Sequence, residues 1–403
     1  MNRATSPVAL TVTLCLAQIL GMAGFATFPA LLPGFIGEWG LSNTDAGWIN
    51  GMFFAGYLGA VPVLSSLTDR VPARRVYFLC MALSGAASLL FALMAEGFWS
   101  ALGLRTAAGI GLAGTYMPGL KLLSDHLEGH RRHIPYYTSS FSIGVALSYV
   151  LAGEVAAGLD WRWAFGLSAL GPGLAVALIS LALPRKDPKP HAAPETSLLD
   201  FRPVLGCRPA MGYVFAYTIH NFELFAMRSW IVAYLVFAQG LQPGGGAGWN
   251  ATAIAAAVSL VGMPASVIGN EVAERIGRHR FITWVMLISA VFAAVIGFAA
   301  SWPFWLIVVL VFAYGTAITA DSGTITTGVI MAAPEGYRGA TMAVHSCIGF
   351  MGSFAGPLAF GVALDLTGGG ASVFSWGASF AFVGAVVLLG PLLLAYGRGR
   401  GGD

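Results

Sequence analysis

Residues 65–75 read Ser-Ser-Leu-Thr-Asp-Arg-Val-Pro-Ala-Arg-Arg, and residues 270–280 read Asn-Glu-Val-Ala-Glu-Arg-Ile-Gly-Arg-His-Arg. In both segments an acidic residue is followed directly by an arginine, as Asp69–Arg70 and as Glu274–Arg275. The two pairs are separated by about half of the 403-residue chain, and each lies between two long apolar segments. A charged turn that recurs in two apolar halves is typical of a membrane transporter with an internal duplication.

The composition also indicates that the chain lies in a membrane. Only 10% of the residues are charged and 57% are hydrophobic, whereas a soluble domain carries about 25% charged residues. The 53 glycines fit helices that approach each other closely in lipid. The four cysteines are scattered and predict no disulfide framework and no metal site. The net charge of +3 gives no indication of a nucleic-acid partner.

Apolar stretches of about 20 residues predict membrane-spanning helices. We place twelve spans at roughly 8–31, 45–67, 75–95, 98–121, 134–157, 162–184, 209–238, 250–272, 280–300, 302–330, 339–364 and 372–397. The first span is predicted to be a retained helix and not a cleaved signal peptide. The sequence therefore predicts an all-α polytopic membrane protein with a six-helix bundle at 1–184, a polar, proline-rich linker at 185–208 and a second, pseudo-symmetric six-helix bundle at 209–403.

The positive charges predict the orientation of these spans. In a twelve-span arrangement, 18 of the 21 lysines and arginines fall on one side of the membrane. Because cytoplasmic loops carry an excess of Lys and Arg, both termini are expected in the cytoplasm.

Several short motifs resemble those of the major facilitator superfamily. The family signature Gly-x-Leu-x-Asp-Arg-x-Gly-Arg-Arg/Lys is matched at Leu67, Asp69, Arg70 and Arg74, and differs at Ser65, Pro72 and Ala73. Further matches are Arg105-x-x-x-Gly109-x-Gly111, Asp160–Phe165 and Pro334-x-x-x-Arg338-Gly339. The resemblance implies twelve helices in two bundles, transport by alternating access, a bacterial cytoplasmic (inner) membrane location, and a protein that works as a monomer.

One motif departs from the antiporter branches of that family. Those branches carry Gly-x-x-x-Gly-Pro-x-x-Gly in helix 5, whereas this chain has Gly144-x-x-x-Ser148-Tyr149. A similar pattern, Gly352-x-x-x-Gly356-Pro357, lies in helix 11 instead. This departure weakens an interpretation as a drug antiporter.

The charged turns are predicted to form a cytoplasmic gate. A carboxylate can accept hydrogen bonds from a helix N-terminus, and arginines can bond to carbonyl ends or acidic headgroups. The alternative is that these charges only satisfy the positive-inside rule. The predicted gating residues are Asp69, Arg70, Arg74, Glu274, Arg275 and Arg278.

Ionisable residues at membrane depth mark functional sites by default. Helix 7 carries His220 and Glu223, which lie about 60° apart on a helix and therefore share a face, and helix 10 carries Asp321 among hydroxyl side chains. Glu223 and Asp321 are the predicted proton-coupling residues, because substrate binding can shift the balance between burial and a nearby cation. For Asp321 the alternative is a structural ion pair with Arg105 or Arg228, and for the hydroxyls it is bonding to helix carbonyls.

The substrate site is predicted in helices 4, 7 and 10, which line the central cavity by resemblance. Arg105 is the favoured contact for an anion, since a guanidinium binds carboxylates bidentately; its alternative role is bonding within the bundle. The predicted substrate-binding residues are Arg105, Tyr217, His220, Asn221, Arg228, Trp230, Tyr314, Ser322 and Thr324.

These patterns predict a secondary transporter and not an enzyme. The expected partners are a small-molecule substrate, protons and the lipid bilayer, with no cofactor and no metal. Protons are the expected driving ion because the sequence has no nucleotide-binding motif. The arginines favour a small organic anion or a zwitterion; the acidic residues and aromatics would also suit a lipophilic-cation exporter. A membrane sensor without flux is a further alternative.

Overall fold

The computed structural model describes residues 6–68, 70–126, 133–183, 201–244 and 248–398. Within these ranges the chain is built of α-helices and contains no β-strand. The helices are α1 (Pro7–Gly21), α2 (Thr27–Ala30), α3 (Leu32–Trp39), α4 (Asn43–Leu67), α5 (Ala73–Met94), α6 (Phe98–His126), α7 (Ile134–Gly158), α8 (Trp161–Ser168), α9 (Leu170–Ala182), α10 (Arg202–Leu205), α11 (Arg208–Gly240), α12 (Ala251–Ile276), α13 (Arg278–Ile296), α14 (Phe304–Ala320), α15 (Ser322–Met331), α16 (Arg338–Leu366), α17 (Val373–Val387) and α18 (Leu389–Tyr396).

Ten helical segments in the described ranges are long and apolar enough to cross a membrane. The other two predicted spans, the first and the fourth, are also helical, but one is too short and the other too polar to meet the same criterion. The fourth span is α6, whose 29 residues include Arg105 and Lys121 among glycines and threonines. The first span is shorter than predicted, because α1 ends at Gly21 and the chain is helical again only from Thr27. The prediction of an all-α membrane fold is confirmed, whereas a continuous first helix over 8–31 is wrong.

The chain packs into two compact units. Unit 1 comprises residues 1–31 and 52–195, and unit 2 comprises residues 32–51 and 196–403. Helix α4 therefore begins in unit 2 and continues into unit 1 after Gly51. Residues 184–200, most of the predicted linker, lie outside the described residues.

In unit 1, α1 packs against α7 and α9, and α5 packs along α6. The core between them contains Leu14, Tyr77, Met81 and Tyr137, all nearly inaccessible to solvent. Small residues let these helices approach closely: a Cβ added to Gly109 of α6 would overlap the backbone of Phe53 in α4. This is the packing expected of membrane helices that associate without a hydrophobic driving force.

In unit 2, α11 is the central helix, and most of its apolar residues are buried. It packs along α16, where a Cβ at Gly352 or Gly356 would overlap the α11 backbone at Thr218 or Phe222. One end of the unit is filled by an aromatic cluster of Trp230, Tyr234, Phe360, Trp376 and Phe380. The functional side chains of α11 are thus held on a tightly packed helix pair.

Candidate functional site

Several predicted membrane helices are interrupted in the described part of the chain, including α8/α9 at Ala169 and α17/α18 at Leu388, and two of the interruptions lie beside buried ionisable side chains. Residues 22–26 separate α1 from α2, and Asp321 separates α14 from α15. An interrupted helix leaves backbone groups without their usual partners, and at membrane depth other groups must satisfy them. Such discontinuous helices form the substrate and ion sites of many transporters.

At the first interruption, in unit 1, Arg105 of α6 bonds to the backbone. Its guanidinium donates to the carbonyl oxygens of Gly24 and Phe25 over 3.4 and 3.3 Å, and lies 4.2 Å from the centre of the Phe53 ring. The side chain is 3% exposed, and its Nε has no hydrogen-bond partner among the described residues. Carbonyl dipoles and an aromatic face therefore stabilise this cation, which is the alternative role that the sequence left open. Contact of Arg105 with an anion stays a prediction.

Ser148 of α7 closes the same interruption. Its hydroxyl donates to the carbonyl of Ala23 at 2.7 Å and accepts from the amide of Ala26 at 2.9 Å. One side chain thus satisfies a donor and an acceptor that the missing helical turn leaves unpaired. Gly144, one turn earlier, allows the approach, since a Cβ there would press on Met22. Sequence analysis noted Ser148 only as a departure from the antiporter motif and missed this function.

At the second interruption, in unit 2, an acid and a histidine meet. Asp321 Oδ1 lies 2.8 Å from His220 Nδ1, an ion-pair distance, and has no other partner among the described residues. The two side chains are 2% and 3% exposed. The structure therefore pairs Asp321 with a neighbour that sequence analysis had not considered as its partner.

Glu223 lies on the same side of α11 and is equally buried. Ser289 of α13 donates a hydrogen bond of 3.1 Å to Glu223 Oε2, whereas Oε1 has no hydrogen-bond partner in the described part of the chain. Tyr314 of α14 and Asp321 both lie near enough to interact with the Glu223 carboxylate. The predicted proton-coupling residues are thus brought together. Ser289, which nothing in the apolar α13 sequence singled out, is an additional member of the cluster.

Aromatic rings cover one side of this cluster. The Tyr217 ring stacks on His345 of α16 at 4.0 Å and lies parallel to His220 at 5.7 Å between ring centroids. Asn221 lies beside Tyr217, and a Cβ at Gly349 would overlap the Tyr217 ring. The stacking on Tyr217 places His345 at the edge of the site.

The remaining predicted residues of helix 10 flank the break. Thr324 is fully buried, and its hydroxyl has no hydrogen-bond partner within the described ranges. Ser322 is half-buried at the start of α15. The next amide, that of Gly323, donates to Ser266 of α12 at 3.0 Å. Helix α12 therefore helps to hold the interruption open.

Two predicted substrate contacts on α11, Trp230 and Arg228, lie against packing partners outside this cluster. Trp230 is fully buried, donates from Nε1 to the carbonyl of Pro357 at 3.0 Å and stacks on Phe360. Arg228 is half-buried, with its guanidinium 5.5 Å from the Phe225 ring. In this structure both are engaged with packing partners, and their roles in substrate binding stay predictions.

The predicted gating residues lie in the two repeated turns. Asp69 is outside the described residues; Arg70 is exposed and Arg74 is half-buried. In the second turn Glu274 and Arg278 are 3.4 Å apart, and Arg275 is exposed.

The backbones of the two repeated turns differ. In the second turn Gly277, which directly precedes Arg278, has a φ of +92°, which glycine adopts without strain. The corresponding position in the first turn is Pro72, with a φ of −49°, so the two turns reverse the chain differently.

The cluster does not have the form of a metal centre. Among the described residues, no group of three or more His, Cys, Asp and Glu side chains is arranged to hold a metal ion. His220, Asp321 and Glu223 are groups that can form hydrogen bonds and exchange protons.

The sequence profile of the Major Facilitator Superfamily matches residues 14–357. The chain belongs to this superfamily. Among the curated members of the superfamily that it resembles, the 3-(3-hydroxy-phenyl)propionate transporter of Escherichia coli is 29% identical over 258 residues, 61% of this chain and 62% of that protein. Protein spinster of Drosophila melanogaster is 23% identical over 245 residues, 58% of this chain and 40% of that protein. The chain thus matches less than two thirds of the length of these relatives.

Solved structures of the superfamily share the fold over nearly the whole chain. A bacterial homolog of the human lysosomal transporter spinster, in an inward-facing and occupied conformation, has a TM-score of 0.74 and 15% identity, covering 97% of this chain and 96% of that one. A mutant of the nucleoside transporter NupG has a TM-score of 0.75 and 15% identity, covering 96% of this chain and 99% of that one. These likenesses establish the fold.

Proposed function

We propose that the protein is a secondary active transporter that moves a small organic anion or zwitterion together with protons by alternating access. The observation that carries this proposal is the cluster of His220, Asp321 and Glu223, which is buried at an interrupted helix. Such a site has the two properties that coupling requires, namely titratable groups and a discontinuous backbone.

The electrostatics of the cluster favour proton exchange. Two carboxylates that lie close together away from water repel each other, so one of them must be neutralised by a proton or a cation. His220 faces Asp321, and the hydrogen-bond partner of Glu223 among the described residues is the neutral hydroxyl of Ser289, with the Tyr314 hydroxyl nearby. Glu223 is therefore the group that we expect to take up and release a proton during transport.

The charge of the substrate fixes the sign of this coupling. An anion near the cluster favours protonation, and by thermodynamic reciprocity protonation favours the anion. That relation produces symport. A cation would instead compete with the proton, which produces antiport. The charge of the substrate thus determines whether it moves in the same direction as the proton or in the opposite one.

An aromatic carboxylate is the substrate class that we propose to test first. The relative from Escherichia coli is named for 3-(3-hydroxy-phenyl)propionate, an aromatic carboxylate. In this chain the Arg105 guanidinium lies against phenyl rings in unit 1, and Tyr217 with His345 forms an aromatic surface in unit 2. Both arrangements suit a planar ring with a negative charge.

We also propose that the protein acts as a monomer in the bacterial inner membrane with both termini in the cytoplasm. In that orientation the two repeated turns lie at the cytoplasmic face. Their arginines would hold the inner gate, as predicted from the sequence.

Uptake into proteoliposomes tests the proposal. With an inward proton gradient, radiolabelled 3-(3-hydroxyphenyl)propionate should accumulate, and a protonophore should abolish the accumulation. Glu223→Gln and Asp321→Asn should lose gradient-driven uptake while Glu335→Gln, which neutralises an exposed carboxylate, should retain it. If uptake by both cluster variants still follows the gradient, the proposed coupling site is wrong.

A lipophilic-cation exporter is the second candidate, because two buried carboxylates would stabilise a cation. Tetraphenylphosphonium distinguishes the two: its exchange for protons, with no movement of aromatic carboxylates, would establish the exporter. If neither probe moves through a folded protein, a membrane sensor without flux becomes the better interpretation.

A further inference from the structure

The Asp365 carboxylate lies at the end of α16 and binds the beginning of α4. Its Oδ1 accepts from the amide of Asn43 at 3.1 Å and from Asn43 Nδ2 at 2.8 Å. Its Oδ2 accepts from the amide of Thr44 at 2.8 Å and from Thr44 Oγ1 at 2.6 Å. Both partners belong to unit 2. A single carboxylate thus satisfies two of the amides that a helix N-terminus leaves unpaired, in the geometry of an N-cap supplied from another helix.

The backbones of α4 and α16 also meet directly beside this carboxylate. A Cβ at Gly47 would overlap the backbone at Pro357 and Leu358, and a Cβ at Gly361 would overlap the Asn43 carbonyl. One turn further along α4, Gly51 faces Phe354. The contact therefore extends over more than two turns of α4 and contains no wide gap.

Helix α4 cannot keep this contact through every movement. It starts in unit 2 and ends in unit 1. Alternating access, as proposed above, therefore requires that α4 bend or that its first turns leave α16. The close glycine contacts leave little room for sliding. Detachment exposes the Asn43 and Thr44 amides, and the four hydrogen bonds to Asp365 oppose it.

We propose that Asp365 is a gate latch: it holds the first turn of α4 against α16 and must let go before the outer end of the transporter opens. The inference rests on the proposed alternating access, and on the predicted orientation, in which α4 begins and α16 ends on the outer side. It assigns to the outer end what the repeated charged turns were predicted to do at the inner end. Nothing in the duplicated motif pointed to Asp365.

Thiol labelling measures opening of this contact without any substrate. The four native cysteines are replaced, and Phe354→Cys provides a reporter inside the contact. The rate of its reaction with a maleimide is measured on purified protein in detergent. We expect Asp365→Ala to raise that rate by about tenfold or more, because it removes the acceptor of all four bonds. Asp365→Asn should increase the labelling rate less than Asp365→Ala does, and Thr44→Val should increase it least.

Asp45→Ala is the matched control. Asp45 lies in the same turn of α4, but among the described residues its carboxylate accepts from Ser42 alone, through the amide and the hydroxyl. It should leave the labelling rate unchanged. A second reporter, Ala273→Cys, is buried near the end of α12 and should not respond to Asp365→Ala. Equal increases at both reporters would mean general loosening and would overturn the latch.

The two proposals fail in different ways. Unchanged Phe354→Cys labelling in all three latch variants, with transport intact in the parent protein, overturns the latch and leaves the proposed function standing. Faster labelling in a protein that moves no carboxylate and no cation supports the latch and overturns the proposed transport. If Asp365→Ala does not fold, Asp365→Asn and Thr44→Val decide by the same criterion.

Discussion

The two helix interruptions that lie beside buried ionisable side chains accommodate charge in opposite ways. In unit 1 a single cation, Arg105, is surrounded by neutral acceptors: two carbonyl oxygens and a phenyl ring. In unit 2 Asp321 pairs with His220 and Glu223 accepts from Ser289, whereas Glu223 Oε1 has no hydrogen-bond partner in the described part of the chain. The first arrangement surrounds a cation with neutral groups, whereas the second leaves a carboxylate oxygen that can take up a proton. The contrast supports the proposal that proton exchange takes place in unit 2.

The largest effect is expected from separating the unit 2 pair. His220→Leu leaves the Asp321 carboxyl buried without its partner, which costs about 3–5 kcal/mol where the two groups form a charged pair. The double variant His220→Leu/Asp321→Leu should recover most of that loss, because no unpaired charge remains. Thermal unfolding in detergent measures the cycle. Additive losses in the double variant would show that the pair does not act as a unit.

Arg105→Met should be the next most damaging change. It removes hydrogen bonds from a charged donor, worth about 1.5–3 kcal/mol, and leaves two buried carbonyls unpaired. Arg105→Lys should recover only part of the stability, since an ammonium cannot bridge two carbonyls as a fork. If Arg105→Met has the same unfolding midpoint as the unmodified protein but no longer binds carboxylates, Arg105 contacts the ligand. The difference proposed between the two interruptions would then be wrong.

Ser148→Ala should cost about 1–3 kcal/mol, because it removes the partner of a buried amide and a buried carbonyl together. Ser148→Thr keeps the hydroxyl and serves as its control, with any loss attributable to the extra methyl. Thermal unfolding again gives the values. If Ser148→Ala and the unmodified protein have the same unfolding midpoint, water replaces the Ser148 hydroxyl in the variant.

The smallest effect belongs to the second charged turn. Glu274 and Arg278 form a solvent-exposed pair one turn apart, and such pairs contribute about 0.2–1 kcal/mol. Glu274→Gln should therefore leave the unfolding midpoint almost unchanged. A change in transport rate without a change in stability would assign this turn to gating; a large loss of stability would contradict this exposed geometry.

The sequence predicts the helical spans well because their apolar runs are local properties of the chain. It also places His220 and Glu223 on one helix face, since helical periodicity fixes that relation. The break after Gly21 was not predicted, because the groups that satisfy it, Arg105 and Ser148, are distant in sequence.

The partners within the site are the part that sequence analysis missed. Asp321 was expected to pair with an arginine if it paired at all, and the structure gives it a histidine. Ser289 and Asp365 carry no local signal, since an isolated serine or aspartate at a helix position has many uses. Tertiary packing decides such contacts, and one sequence contains no record of it.

The short α1 bears on how the chain enters the membrane during synthesis. Its 15 residues measure about 22 Å along the helix axis, less than the roughly 30 Å of a hydrocarbon core. The first crossing must therefore include the interrupted backbone after Gly21, whose partners Arg105 and Ser148 are synthesised much later. A nascent chain that stops before residue 148 holds this crossing without its hydroxyl bridge. The hydrogen bonds of Ala23 and Ala26 to the Ser148 side chain can therefore form only after α7 has been synthesised.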